Sequence, residues 1–244
     1  MKDNYILTAE SVTAGHPDKL CDTIADSILD TCLKEDPNAR VGCEVLATAG
    51  KILVAGELRT TASSDVEAIV RQTVQNAGYD CNYHVEVRLH TQSPDIADAV
   101  DGETLGAGDQ GIMFGYATRE TASRLPYAFD VANRIIAVLE DDADNNPDTI
   151  LKGDAKTQVT IDLDTGEIVT VVVSVCHKEG CDLDEVQHYV LALVGDECIC
   201  DDWIINPAGT WTVGGAEADC GLTGRKIVCD QYGGFCRVGG GAVS

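Results

Sequence analysis

Apolar residues recur at helical spacing in four stretches of the chain, and each stretch predicts an amphipathic helix. These stretches are residues 20–33, 66–77, 128–139 and 183–194. Ser64 and Glu67 predict a capping box before the second helix, and Gly78 predicts its end. The polar run 141–148 predicts that the third helix ends before it.

Alternating apolar and polar positions predict strands in the segments between the helices. They fall at residues 40–46, 52–57, 83–89, 156–162 and 167–175, with short candidates at 203–206 and 211–213. The apolar run 112–116 predicts a further buried strand. Because the order helix, hairpin, helix occurs twice, the chain is expected to hold two related sheet-and-helix units. Residues 91–108 have no periodic face, which is typical of disorder or a mobile lid.

Composition restricts the partners more than it identifies them. The 244 residues are 44% hydrophobic and only 5% aromatic, which predicts an aliphatic core, and the net charge of −24 disfavours nucleic acid or an anionic membrane. Without a membrane-length apolar run or a secretory leader, the eleven cysteines indicate reduced thiols and a cytoplasmic location. The spacing of one group fits no zinc pattern well: Cys176, His177, Cys181, Cys198 and Cys200.

The segment Gly15-His16-Pro17-Asp18-Lys19 opens the first predicted helix. A helix N-terminus attracts phosphate, while Lys19 and His16 add donors and Asp18 can hold a divalent ion. An ordinary polar helix start explains these residues equally well, and a Mg²⁺-dependent phosphohydrolase is a further alternative.

Four motifs occur in an order that resembles S-adenosylmethionine synthetases (methionine adenosyltransferases). They span residues 15–19, 106–117, 154–160 and 219–226. The resemblance covers essentially the whole chain, but the C-terminal third of such an enzyme has no counterpart in it.

The resemblance implies that methionine sulfur attacks the ribose C5′ of ATP, releasing tripolyphosphate that is cleaved to phosphate and diphosphate. It implies the cofactors Mg²⁺ and K⁺, and a homodimer or dimer of dimers with active sites between subunits. The implied fold is α+β, with sheet-and-helix units related by pseudo-threefold symmetry, two present and a third cut short. The expected boundaries are 1–100, 101–222 and 223–244.

Matching motif by motif, the resemblance also implies roles for individual residues. Catalytic roles fall to His16, Lys19, Lys156, Arg225 and Lys226. The same residues except Lys19 are expected to bind ATP, together with Asp154, Trp211, Asp219 and Ala242. Methionine is expected to contact Glu57, Gln92, Asp109 and Asp219. The metal ligands are Asp18 for Mg²⁺ and Glu44 for K⁺.

Some positions depart from the family pattern. Thr210 stands where the family has arginine, and Val243 stands where it has phenylalanine. Two family lysines and a second Mg²⁺-site aspartate have no counterpart, and the loss of one charge-stabilising group typically costs about a hundredfold in rate. The chain alone is therefore expected to be weak or inactive. A non-catalytic paralogue that binds nucleotide or pairs with a full-length partner is the alternative.

Overall fold

The computed structural model describes residues 5–80, 82–91 and 110–242, and their fold is mixed α+β. The helices are α1 (Pro17–Glu35), α2 (Val66–Asn76), α3 (Tyr127–Asn145), α4 (Leu183–Val194) and the single turn α5 (Ile227–Asp230). The strands are β1 (Ile6–Val12), β2 (Arg40–Thr48), β3 (Lys51–Arg59), β4 (His84–His90), β5 (Leu151–Asp162), β6 (Ile168–His177), β7 (Trp203–Ile205) and β8 (Gly221–Leu222).

The strands form two four-stranded sheets. Sheet A has the order β1-β5-β6-β7, and sheet B has the order β4-β3-β2-β8. The helices α3 and α4 cover one face of sheet A, while α1 and α2 cover one face of sheet B. Both cores are almost wholly aliphatic, as the scarcity of aromatic residues predicts.

Each sheet contains one strand from a distant part of the chain. The N-terminal strand β1 pairs antiparallel with β5, so that Val12 lies opposite Lys156. Conversely, the late strand β8 pairs with β2 of the other sheet. The loop from Thr13 to His16 therefore crosses from sheet A to the helix that covers sheet B, and it brings the start of α1 beside β5.

Most of the predicted elements are present, but four local predictions were wrong. Asp65, rather than Ser64, caps α2 by accepting a hydrogen bond from the Ala68 N–H. The helix α3 continues through the start of the polar run, because charged residues are tolerated on its solvent-facing side. Neither 112–116 nor 211–213 is a strand, and Ile112 and Met113 are largely exposed instead of buried.

Two sequence-based expectations are not decided by this fold. Almost all of the proposed lid, residues 92–108, lies outside the described residues. The pseudo-threefold arrangement stays a prediction. No helix in the described ranges is long and apolar enough to cross a membrane.

Close approach of β8 to α1 requires glycine at position 221. A Cβ atom on Gly221 would lie 2.1 Å from the carbonyl oxygen of Pro17, so the backbone would have to move. We predict that Gly221→Ala lowers the free energy of unfolding by about 1–3 kcal/mol, the usual range for overpacking. Gly115→Ala is the matched control, because a Cβ there meets open space. Equal urea midpoints for the two variants would contradict this packing.

Candidate functional site

His16 is the N-cap of α1 and is held by the helix that it caps. Its Nδ1 accepts a hydrogen bond from the Asp18 N–H at 3.1 Å, and Pro17 occupies the first helical position. Burial lowers the pKa of His16 to about 4, assisted by the positive charges of Lys226 and Lys156. The imidazole is therefore neutral near pH 7, and Nε2 carries its proton as a free donor.

Asp18 is buried at the same helix terminus and binds groups from β8 and from the segment after it. Its Oδ1 accepts from the Leu222 N–H at 3.0 Å, and its Oδ2 lies 2.6 Å from Lys226 Nζ. The Nε of Arg225 is 3.5 Å from Oδ1. Burial alone would raise the pKa of Asp18, but the hydrogen bonds from Lys226 and Leu222 bring it below its ordinary value.

Lys156 adds a third cation from sheet A. On the face that α3 and α4 leave uncovered, its Nζ lies 2.6 Å from Oε2 of Glu10 on β1. Burial opposes ionisation of Glu10, but the hydrogen bond from Lys156 lowers its pKa overall. Sequence analysis did not predict a role for Glu10. The only indication was that this carboxylate follows the apolar, buried Ala9 on the opposite face of the strand, five residues before the segment that opens α1.

Lys19 points away from these groups. Its ammonium lies 2.8 Å from Asp230 on α5 and 3.2 Å from the buried Asp22 on α1. Burial would lower the pKa of Lys19, but the bond to Asp230 and the charge of Asp22 raise it. Lys19 is thus already neutralised by two carboxylates, unlike the free phosphate ligand suggested by the motif.

Asp154 lies on β5, two residues from Lys156, and only 2% of it is exposed. Its Oδ2 accepts from the Gly215 N–H at 2.6 Å, whereas Oδ1 has no hydrogen-bond partner among the described residues. Burial raises the pKa of Asp154 to about 6, and the charge of Asp219 adds to this effect. The charge of Asp219 also acts on His16, so Asp219 lies near both groups. The spare oxygen is an acceptor available to a ligand donor.

A cleft of about 770 Å³ adjoins the segment that carries Arg225 and Lys226. It is lined by Gln110 to Phe114, Asp230 to Tyr232, Gly239, Gly241 and Ala242. Its volume lies in the range of small-molecule sites. A Cβ on Gly224 would lie 3.1 Å from the Cβ of Ala242, which places Ala242 next to the residue preceding Arg225.

Three predicted residues make no described contact with His16, Asp18 or Lys156. Glu44 bonds the Thr223 hydroxyl on sheet B, and Glu57 lies diagonally across from it on the same uncovered face. Trp211 is tied to the buried His177: the His177 N–H donates to its carbonyl, and its own N–H donates to His177 Nε2 at 3.0 Å. No described contact joins Trp211 to the cluster.

The remaining two predicted residues, Gln92 and Asp109, lie outside the described residues. Sequence reasoning assigned both to methionine, so half of the expected methionine site has no described geometry. What the structure brings together is therefore the phosphate-directed half of the expected site.

The carboxylates of the site fit a metal ion that also binds oxygen atoms of a ligand better than they fit a metal ion enclosed entirely by protein ligands. Within the described ranges, no three His, Cys, Asp or Glu side chains are grouped to hold a metal ion, and this includes the cysteines near His177. Mg²⁺ commonly takes one or two carboxylates and completes its shell with phosphate oxygens and water. Asp18 and Glu10 fit that donor set, and Glu44 with the Thr223 hydroxyl offers oxygen atoms to K⁺.

The raised pKa of Asp154 predicts that the effect of this carboxylate on the free energy of unfolding depends on pH. Its folded pKa exceeds the unfolded value of 3.8, so its contribution to stability is lost as the pH rises from about 4 to about 6. We predict that Asp154→Asn raises the free energy of unfolding more at about pH 7.5 than at about pH 5. Urea unfolding at both values measures this, and Asp164→Asn in an exposed turn is the control. A pH-independent difference would contradict the assignment.

Comparison with known proteins shows the family of the chain. Models of the S-adenosylmethionine synthetase N-terminal, central and C-terminal domains match residues 4–104, 104–211 and 213–244. The S-adenosylmethionine synthase of Finegoldia magna is 41% identical over 271 aligned positions, which cover 99% of this chain and 69% of that protein. The chain therefore belongs to the S-adenosylmethionine synthetase family, whose members are transferases.

Proposed function

We propose that this chain is a methionine adenosyltransferase that forms S-adenosylmethionine from ATP and L-methionine. One observation carries the proposal: His16, Asp18, Lys156 and the pair Arg225–Lys226 come from separate segments and meet at one helix N-terminus. Three cations and a helix dipole are the chemistry that a polyphosphate leaving group requires.

The triphosphate is proposed to replace carboxylates as the partner of these cations. Lys226 forms an ion pair with Asp18, and Lys156 forms one with Glu10. When phosphate oxygens take the ammonium groups, the two carboxylates become free to bind Mg²⁺. Bound Mg²⁺ supplies further neutralisation of the phosphate charge. This exchange keeps every buried charge paired both before and after binding.

His16 is proposed to donate a hydrogen bond from Nε2 to the oxygen that leaves C5′. The ring suits this role because Nδ1 is occupied by the Asp18 N–H and the lowered pKa keeps it neutral. A neutral donor stabilises developing negative charge without repelling the adjacent Lys226. The attacking group is the methionine sulfur, so the chain itself needs no nucleophile.

The nucleoside is proposed to use the spare acceptor of Asp154, together with Trp211, Asp219 and Ala242. Oδ1 of Asp154 fits a hydroxyl or amino donor, since it is buried and lacks a hydrogen-bond partner among the described residues. Methionine would then contact Glu57, Gln92, Asp109 and Asp219, with K⁺ at Glu44. Glu44 is linked through the Thr223 hydroxyl to the segment that carries Arg225 and Lys226, which supports its place at the edge of the same site.

An assay with ATP, L-methionine, Mg²⁺ and K⁺ tests the proposal. We expect S-adenosylmethionine to form only slowly with this chain alone, because two family lysines and an aspartate have no counterpart in it, and we expect Lys226→Met to lower that initial rate by about a hundredfold or more because it removes a phosphate-directed charge. Lys34→Met, in the last turn of α1, is the control and should retain the rate.

Two outcomes would contradict the proposal and favour the alternatives. Binding of Mg·ATP without any product would indicate a non-catalytic nucleotide-binding paralogue. Phosphate release from ATP or tripolyphosphate that does not depend on methionine would indicate a phosphohydrolase.

A further inference from the structure

The single helical turn α5 follows Lys226 directly, and its residues are half-buried without belonging to either hydrophobic core. None of its four residues is buried. Its ties to the rest of the chain are mainly polar: Lys226 to Asp18, Asp230 to Lys19, and a weak contact from Cys229 Sγ to Glu10 at 3.7 Å. The position of the phosphate-directed pair Arg225–Lys226 therefore depends on these charged contacts.

The two ion pairs between α1 and α5 have opposite polarity. Adjacent residues of α1, the acid Asp18 and the base Lys19, face the base Lys226 and the acid Asp230 at the two ends of the turn. Both pairs are partly shielded from water, with 12% of the Lys226 side chain and 11% of the Asp230 side chain exposed. Such pairs are screened less by salt than a surface pair is.

The ion pair of Lys226 with Asp18 and the ion pair of Asp230 with Lys19 respond differently when a polyphosphate binds. In the proposed function, Lys226 moves from Asp18 to the phosphate, so the first tie is broken. The second tie does not involve a phosphate-directed group, because Lys19 is already neutralised by Asp230 and Asp22. Among the ion pairs of the described residues, it is then the one that joins α5 itself to α1, while the Gly224 N–H still bonds Asp22 Oδ1 before the turn.

We propose that Asp230 is a positioning residue: its ion pair with Lys19 holds α5 against α1 while Lys226 exchanges Asp18 for the phosphate. The inference rests on the proposed function and changes the role of Lys19 from a phosphate ligand to an anchor. The two roles make opposite predictions for the removal of Asp230. An anchor loses its partner and phosphate binding weakens, whereas a direct ligand gains free charge and binding strengthens.

Titration of Mg·tripolyphosphate separates these roles. We expect Asp230→Asn and Lys19→Gln each to weaken affinity by about tenfold, and the double variant to weaken it no further, because both remove one interaction. Asp230→Glu should restore part of the affinity, and Asp30→Asn, an exposed charge removal on α1, should leave it unchanged. Unchanged or tighter binding by Asp230→Asn would overturn the proposal.

Hydrogen exchange of the amides from 227 to 233 tests the same tie without any ligand. Asp18→Asn releases Lys226 as the phosphate is proposed to do. Each single variant, Asp18→Asn or Asp230→Asn, should leave one tie and change exchange modestly. The double variant should exchange about tenfold faster than the sum of the single effects predicts. Additive effects would overturn the inference. If the unmodified chain binds no tripolyphosphate, the proposed function fails, and this measurement still decides the role of Asp230.

Discussion

The antiparallel pairing of β1 with β5 is the constraint on which the site depends. It places Val12 opposite Lys156 and ties Thr13 to Ala155 through both backbone and side-chain hydrogen bonds. Only three residues separate the end of β1 at Val12 from His16, the N-cap of α1. Because that distance is short, the N-terminus of a helix packed on one sheet must lie beside a strand of the other. The return strand β8 fixes the opposite side by passing close to Pro17.

The positive charges gathered by this arrangement are each matched by carboxylates. Lys156 has Glu10, Lys226 has Asp18, and Lys19 has Asp22 and Asp230. Leaving a buried charge unpaired costs several kcal/mol, so these cations need the carboxylates as counterions. In the proposed function, the same carboxylates would hold a metal when phosphate takes their partners.

The sequence predicted the elements with local signals, but it did not predict their long-range partners. The helix α1 and the two hairpins follow from periodicity, and His16 and Asp18 lie where the motif indicated. The pairing of β1 with β5, and hence Glu10, joins residues about 150 positions apart, which periodicity does not encode. The side chain of Lys19 points toward Asp230, which is distant in sequence, so the motif alone could not predict its orientation. The prediction of a buried strand at residues 112–116 was wrong, because an apolar run alone does not distinguish a buried strand from an exposed loop.

The central claim is that sequence-distant segments bind one polyphosphate at the start of α1. Amide NMR spectra recorded with Mn²⁺ and ATP test it most directly, since the paramagnetic ion broadens only nearby signals. We predict that signals from residues 13–19, 154–156 and 219–226 broaden together, while those of α4 and β7 persist. Broadening confined to one of these segments, or centred on α4 and β7, would contradict it.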